Sequence, residues 1–190
     1  MQVKTILNQL YKFRSHVYQT VRLLTEGDNI WIEVDIVPRQ NGRIICSCCG
    51  RPGSQYDTLQ PPRRFDFVPL WNLPTIFWYS MRRVDCRSCG IKIEEVPWAQ
   101  GKQRRTHAFT WFIAAWARRL SWKQTAVAFQ TSWDTVFRAV QTAVEWGLEH
   151  RNTDDIRAIG VDEIAYKKGP HSSRLWYVTK PAGRKGKVAR

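Results

Sequence analysis

The chain has 190 residues, 43% of them hydrophobic and 24% charged, with ten Trp, eight Phe and six Tyr. That composition excludes wholesale disorder, and the lack of an apolar run of about 18 residues excludes a spanning helix, so no membrane partner is expected. Thirty Lys and Arg against 16 Asp and Glu leave a formal net charge of +14, which favours a polyanionic partner, nucleic acid first.

The N-terminal stretch MQVKTILNQLYKFRSHVYQ has neither an uninterrupted apolar region nor a small-residue cleavage site, so a secretory leader is not expected. Residues 30–37 read as a strand, with Ile30, Ile32, Val34 and Ile36 on one face and Glu33 and Asp35 on the other. Residues 38–42 turn the chain toward Cys46-Ser-Cys-Cys49, and residues 51–62, with three Pro and one Gly, are turn-rich. A second strand is expected over residues 64–68, broken by residues 69–74. Residues 75–84 (TIFWYSMRRV) then form a β-branched and aromatic run leading into Cys86-Arg-Ser-Cys89. Arg63, Arg64, Arg82, Arg83 and Arg87 either track phosphates or keep a strand edge soluble.

Five cysteines without a leader argue for a reducing cytosol rather than a disulfide framework. Four of them, Cys46, Cys49, Cys86 and Cys89, form two C-x-x-C pairs, each followed by glycine, Gly50 and Gly90. A C-x-x-C turn puts two thiolates on one side of an ion, and two such knuckles supply the four soft ligands of a structural, closed zinc site. A redox dithiol or reduced core cysteines are the other readings. Cys48 is the spare, an alternative ligand inside the first knuckle.

Gly101-Lys-Gln-Arg-Arg-Thr-His107 reads as a basic linker, after which the periodicity turns helical. Phe109, Phe112, Ile113, Trp116 and Leu120 share a face of a first helix. Ser121 and Gln124 make an S-x-x-Q capping box for a second, and Ser132 caps a third running to about Glu149. In the third helix Val136, Phe137, Val140, Ala143, Val144 and Leu148 form the expected buried stripe. A short second helix, a tight turn and a longer third fit the helix-turn-helix pattern, and an ordinary three-helix bundle fits them too. On the first reading Arg138, Thr135, Gln141 and Thr142 face the major groove, with Lys123 and Gln124 on the DNA backbone.

Asn152-Thr-Asp-Asp155 is a polar linker, followed by Ile-Gly-Val-Asp162-Glu-Ile, a strand with a carboxylate near its end, and by an apolar run at residues 175–179. The order of two C-x-x-C-G knuckles, V-P-W-A (Val96 to Ala99), S-W-D-T-V (Ser132 to Val136) and I-G-V-D-E-I-A-Y-K-K-G (Ile159 to Gly169) resembles the N-terminal half of bacterial insertion-sequence transposases of the ISL-three type. The resemblance implies a zinc finger, a helix-turn-helix and a DDE catalytic domain of RNase H-like fold. It further implies binding to the double-stranded terminal inverted repeats of a mobile element, Mg²⁺-dependent strand cleavage, and a bacterial protein of the cytoplasm and nucleoid. A second copy or a full-length transposase is a possible protein partner, and a stand-alone DNA-binding regulator is the alternative function. Asp162 matches the first Asp of the triad. The second Asp and the Glu find no counterpart before Arg190, so catalytic incompleteness is expected, with Mg²⁺ relevant only to a complete domain.

The expected class is α+β. Residues 1–100 form a β-rich zinc module, 101–151 a three-helix helix-turn-helix domain, and 152–190 the first strands of an incomplete RNase H-like domain.

Overall fold

Alternation of apolar and charged residues builds the first sheet. In the computed structural model, which describes residues 2–152, helix α1 (Val3–Leu10) precedes strand β1 (His16–Glu26), which pairs antiparallel with β2 (Asn29–Pro38). Ile32, Val34 and Ile36 of β2 are buried as the alternation requires, while Ile30 is exposed. On the opposite face Arg22 of β1 ion-pairs with Glu33 and Asp35. Strand β5 (Arg63–Leu70) and strand β6 (Leu73–Tyr79) form a hairpin, and β6 lies parallel to β2, giving the order β1-β2-β6-β5. The hairpin turn is Trp71-Asn72, both at positive φ, the backbone that two-residue turns need to follow the strand twist.

The expected break at residues 69–74 is therefore a tight hairpin turn inside one sheet. The expected single strand over residues 75–84 is likewise two strands. β6 ends at Tyr79, and after Ser80 and Met81 the chain enters a second sheet as β7 (Arg82–Cys86). That sheet has the order β3-β4-β7-β8, with β3 (Ile44–Ile45), β4 (Pro52–Thr58) and β8 (Gly90–Ile93). Residues 52–58 thus form a strand, not turns. Pairing with β7 on one side and β3 on the other overrides the weak local propensity of PGSQYDT.

Trp98, fully buried, is the hub of the main core. The rings of Phe13, His16, Phe65 and Tyr79 surround it at centroid distances of 4.8 to 5.8 Å. A buried polar chain links the two sheets beside it. Glu94, just past β8, accepts from Tyr79 Oη at 2.6 Å, from Arg82 N at 2.7 Å, and from Arg82 Nε and Nη2 at 2.9 and 2.6 Å. Tyr79 Oη also lies 3.2 Å from His16 Nε2, and Ser15 Oγ lies 2.8 Å from His16 Nδ1. The carboxylate only accepts, so the single phenolic proton goes to Glu94, His16 Nε2–H donates to the phenol oxygen, and Nδ1 accepts from Ser15.

Burial pushes the His16 pKa down from 6.5 to about 4, with the Glu94 charge opposing the shift. Between those two values the unfolded chain binds the proton and the native chain does not, so stability is lost as pH falls through that window. Urea denaturation is expected to show wild type losing up to about 3 kcal/mol between pH 6.5 and 4 that His16→Gln does not lose.

The basic stretch ahead of the helices is not a free linker. Arg63 donates to the carbonyls of Gly101 and Gln103, Asp66 N donates to Arg104 O, and Thr106 donates from both N and Oγ1 to Asp66 O. Thr106 also caps α2 (His107–Ala117) by accepting from Phe109 N, so this helix starts on the edge of β5. Ser121 and Gln124 form the expected capping box of α3 (Trp122–Ala128), and Ser132 Oγ accepts from Thr135 N in the first turn of α4 (Trp133–Glu149). Phe109, Ile113, Ala114, Ala126, Val136 and Ala139 make the core shared by these helices. The stripe of α4 is narrower than expected: Phe137, Val144 and Leu148 are exposed.

These findings correct the expected fold class. The described residues form two four-stranded sheets and four helices, a mostly β arrangement with one short helix before the strands and three after them. They do not form a three-helix helix-turn-helix domain succeeded by strands. The chain divides into two units after Trp146, and the first holds both sheets, α1, α2, α3 and most of α4. The physical reason is the pinned segment at residues 101–106, which makes the start of α2 continuous with the β5 edge. The strands expected at residues 156–164 and 175–179 lie outside the described residues. No helix among the described residues is long and apolar enough to cross a membrane.

Candidate metal centre and nucleic-acid face

Two tight turns bring the four paired cysteines together. The first follows β3, where Gly50 N donates to Cys46 O at 2.9 Å; the second joins β7 to β8, where Cys89 N donates to Cys86 O at 3.3 Å. Gly50 and Gly90 leave the turns at φ +68 and +69, a backbone that side chains with a Cβ resist. The knuckles come from distant parts of the chain and are stitched by the bridge between Cys46 and Glu94 and by Ser47, whose N and Oγ both donate to Ile93 O.

The four sulfurs of Cys46, Cys49, Cys86 and Cys89 all lie within 4.8 Å of one another, and Cys49 Sγ is 3.5 Å from Cys86 Sγ. A tetrahedral ion with metal–sulfur bonds of about 2.3 Å spaces its ligands about 3.8 Å apart, so the cluster fits zinc. Cys46 and Cys86 are buried and Cys49 is exposed. Hydrogen bonds from the backbone of Ser88 and Cys89 lower the Cys86 pKa to about 7, while hydrogen bonding with the Cys49 and Cys48 sulfurs pushes the Cys89 thiol up. Four thiols this close cannot all ionise without a cation among them, which is what a divalent ion supplies. Cys48 is exposed and stands outside the four-sulfur cluster.

The residues expected to meet DNA fall on two elements. Lys123 is exposed at the start of α3, and Gln124 is engaged in the cap, its Oε1 accepting from Ser121 N at 3.0 Å. On α4, Arg138 Nε donates to Asp134 Oδ2 at 2.8 Å and Gln141 Nε2 donates to Glu145 Oε1 at 2.8 Å, all four being exposed. Thr135 is half-buried against Ser132, and Thr142 Oγ1 donates back to Arg138 O. Arg138 and Gln141 are thus exposed but each engaged by an acid one turn away on the same helix, and Thr135 and Thr142 are partly spent on the helix itself. Asp162 lies outside the described residues.

Of the arginines in the β-rich region, Arg82 is buried on Glu94, Arg83 pairs with Asp57, Arg64 with Asp66, and Arg63 holds the 101–103 carbonyls. These serve the fold; Arg87 is exposed. Sequence reasoning passed over Lys102, Arg104 and Arg105 as linker. They line one open groove together with Arg138, Gln141 and Thr142, with Asp134 and Glu145 as its acids. The signal was the K-x-R-R run itself, whose position against α4 depends on hydrogen bonds to β5 that no local pattern announces.

No family model and no solved structure matches the chain. It is similar to the transposase for insertion sequence element IS1557 in two strains of Mycobacterium tuberculosis, 28% identical over 145 residues. The similarity covers 75% of this chain, which spans about a third (32%) of the length of those transposases. The chain is a distant relative of an insertion-sequence transposase.

Proposed function

We propose that this chain is the end-binding portion of a transposase of the ISL-three type, recognising the terminal inverted repeats of its element as duplex DNA. The observation that carries the reading is the groove in which Arg138 and Gln141 of α4 face three cations of the 101–106 segment. A net charge of +14 supports it, since neutralising phosphates and releasing their counterions drives such binding. Arg138 and Gln141 are the side chains suited to base edges, as bidentate partners of guanine and adenine respectively. Lys123 suits a backbone phosphate. Zinc at Cys46, Cys49, Cys86 and Cys89 holds the second sheet and performs no chemistry, because four protein ligands leave no open position. Strand cleavage belongs to a complete catalytic domain, in which Asp162 would help to hold Mg²⁺.

Arg138→Ala is expected to cost about 1–3 kcal/mol on a duplex carrying the element's terminal repeat and less on a scrambled duplex, as measured by fluorescence anisotropy. Equal losses on both duplexes would reassign Arg138 to a phosphate. No binding of either duplex by zinc-loaded wild type would overturn the proposed function.

A further inference from the structure

The 101–106 segment has features that a connector does not need. Its backbone is fixed at four points: the carbonyls of Gly101 and Gln103 on Arg63, the carbonyl of Arg104 on Asp66 N, and Thr106 N on Asp66 O. Lys102 and Arg104 are exposed on this rigid path. Arg105 is half-buried, and its Nε is fully shielded with no hydrogen-bond partner among the described residues. Burial and the nearby Arg138 hold the Arg105 guanidinium below its ordinary pKa, with Asp134 and Asp66 opposing. Arg105 and Arg138 line the same groove, and Asp134, which lines it with them, is exposed and ion-paired with Arg138. An exposed pair one helical turn apart is held weakly against water. Asp134 is therefore poised to yield its place to a stronger anion.

Resting on the proposed DNA reading, we infer that residues 101–106 form a phosphate rail: Lys102, Arg104 and Arg105 engage the DNA backbone alongside α4, and one phosphate replaces the Asp134 carboxylate between Arg105 and Arg138. The rail supplies affinity without sequence preference, and its rigidity spares the entropy of ordering a loop on binding. Displacement of Asp134 frees Arg138, so that seating on the backbone and presenting the reading side chain are one event.

The test is a salt titration of the zinc-loaded full chain on a short mixed-sequence DNA duplex, read by fluorescence anisotropy. The Lys102→Ala, Arg104→Ala, Arg105→Ala triple variant is expected to flatten the slope of log K against log salt by roughly 3, about 0.9 for each phosphate no longer neutralised. Arg105→Lys, which keeps the charge, should hold the wild-type slope. Asp134→Asn should bind the duplex about 3- to 10-fold more tightly at low salt, where the removed charge is least screened. Should the triple variant fail to fold, Lys102→Gln with Arg104→Gln, both at exposed positions, should flatten the slope by roughly 2. Wild-type binding with an unchanged slope in the folded variants, or Asp134→Asn binding no more tightly, overturns the rail and leaves the DNA reading standing. Failure of wild type to bind any duplex overturns both.

Discussion

Cys89→Ser is expected to abolish one-to-one zinc binding and to melt the second sheet, while Cys48→Ser changes neither. The asymmetry follows from how little else holds that sheet. Its buried core is four residues, Ile44, Cys46, Val84 and Cys86, and two of these belong to the four-sulfur cluster. Strand β3 has two residues and β8 is exposed throughout. A core of that size cannot offset the conformational entropy of about 1–2 kcal/mol for each ordered residue. Structural zinc supplies about 10–16 kcal/mol in small zinc domains, and there it is folding energy. Removing one thiolate leaves three ligands, one open position and two buried sulfurs short of their cation. Cys48 has no such role, because its side chain is exposed and stands outside the cluster. The first sheet, with its own core around Trp98, should survive the loss. Elemental analysis gives the zinc count, and amide dispersion in two-dimensional NMR separates the two sheets. Purified wild type free of zinc, with its thiols reduced and both sheets intact, would remove the metal from this account.

Legibility varied with the range of the interaction that fixes each feature. The face of β2, the capping box at Ser121 and Gln124, and the span of α4 all rest on neighbours a few residues apart, and each was readable. The cysteine cluster was readable although its halves are far apart, because each C-x-x-C-G turn is a local signature and two of them imply one ion. Helix α1 and strand β1 leave little trace in the sequence: α1 is only eight residues long, and β1 is half exposed, its alternation weak beyond Tyr18. Strand β4 was hidden because its partners are β3 and β7, not its own sequence. The exposed side of α4 carries Phe137 and Val144, which apolarity alone assigned to the core. Lys102, Arg104 and Arg105 needed the β5 edge to become part of a site.

Glu94→Ala should be the most damaging change away from the metal, at a cost of about 3–5 kcal/mol in urea denaturation. Nothing in the run IKIEEVPWA separates Glu94 from Glu95, yet Glu94 is 3% exposed and Arg82 6%. The Glu94 carboxylate takes four hydrogen bonds, three of them from Arg82 and one from Tyr79. Truncation strands a buried guanidinium, a backbone N–H and a phenol at once, and each loses its partner in a place where water cannot substitute. Glu94→Gln keeps the volume but turns an NH₂ toward donors, so it should also destabilise, by less. The pair's net worth against an apolar core is a separate quantity, since desolvation of two charges offsets much of their attraction. The double variant Arg82→Met with Glu94→Leu should therefore lie closer to wild type than either of its single variants or Glu94→Ala, whereas independent contacts would make the two single losses add. Because Tyr79 ends β6 and Arg82 opens β7, the damage should spread to both sheets. A double variant no more stable than Glu94→Ala would mean that the charges, and not merely the satisfaction of their polar groups, hold the two sheets together.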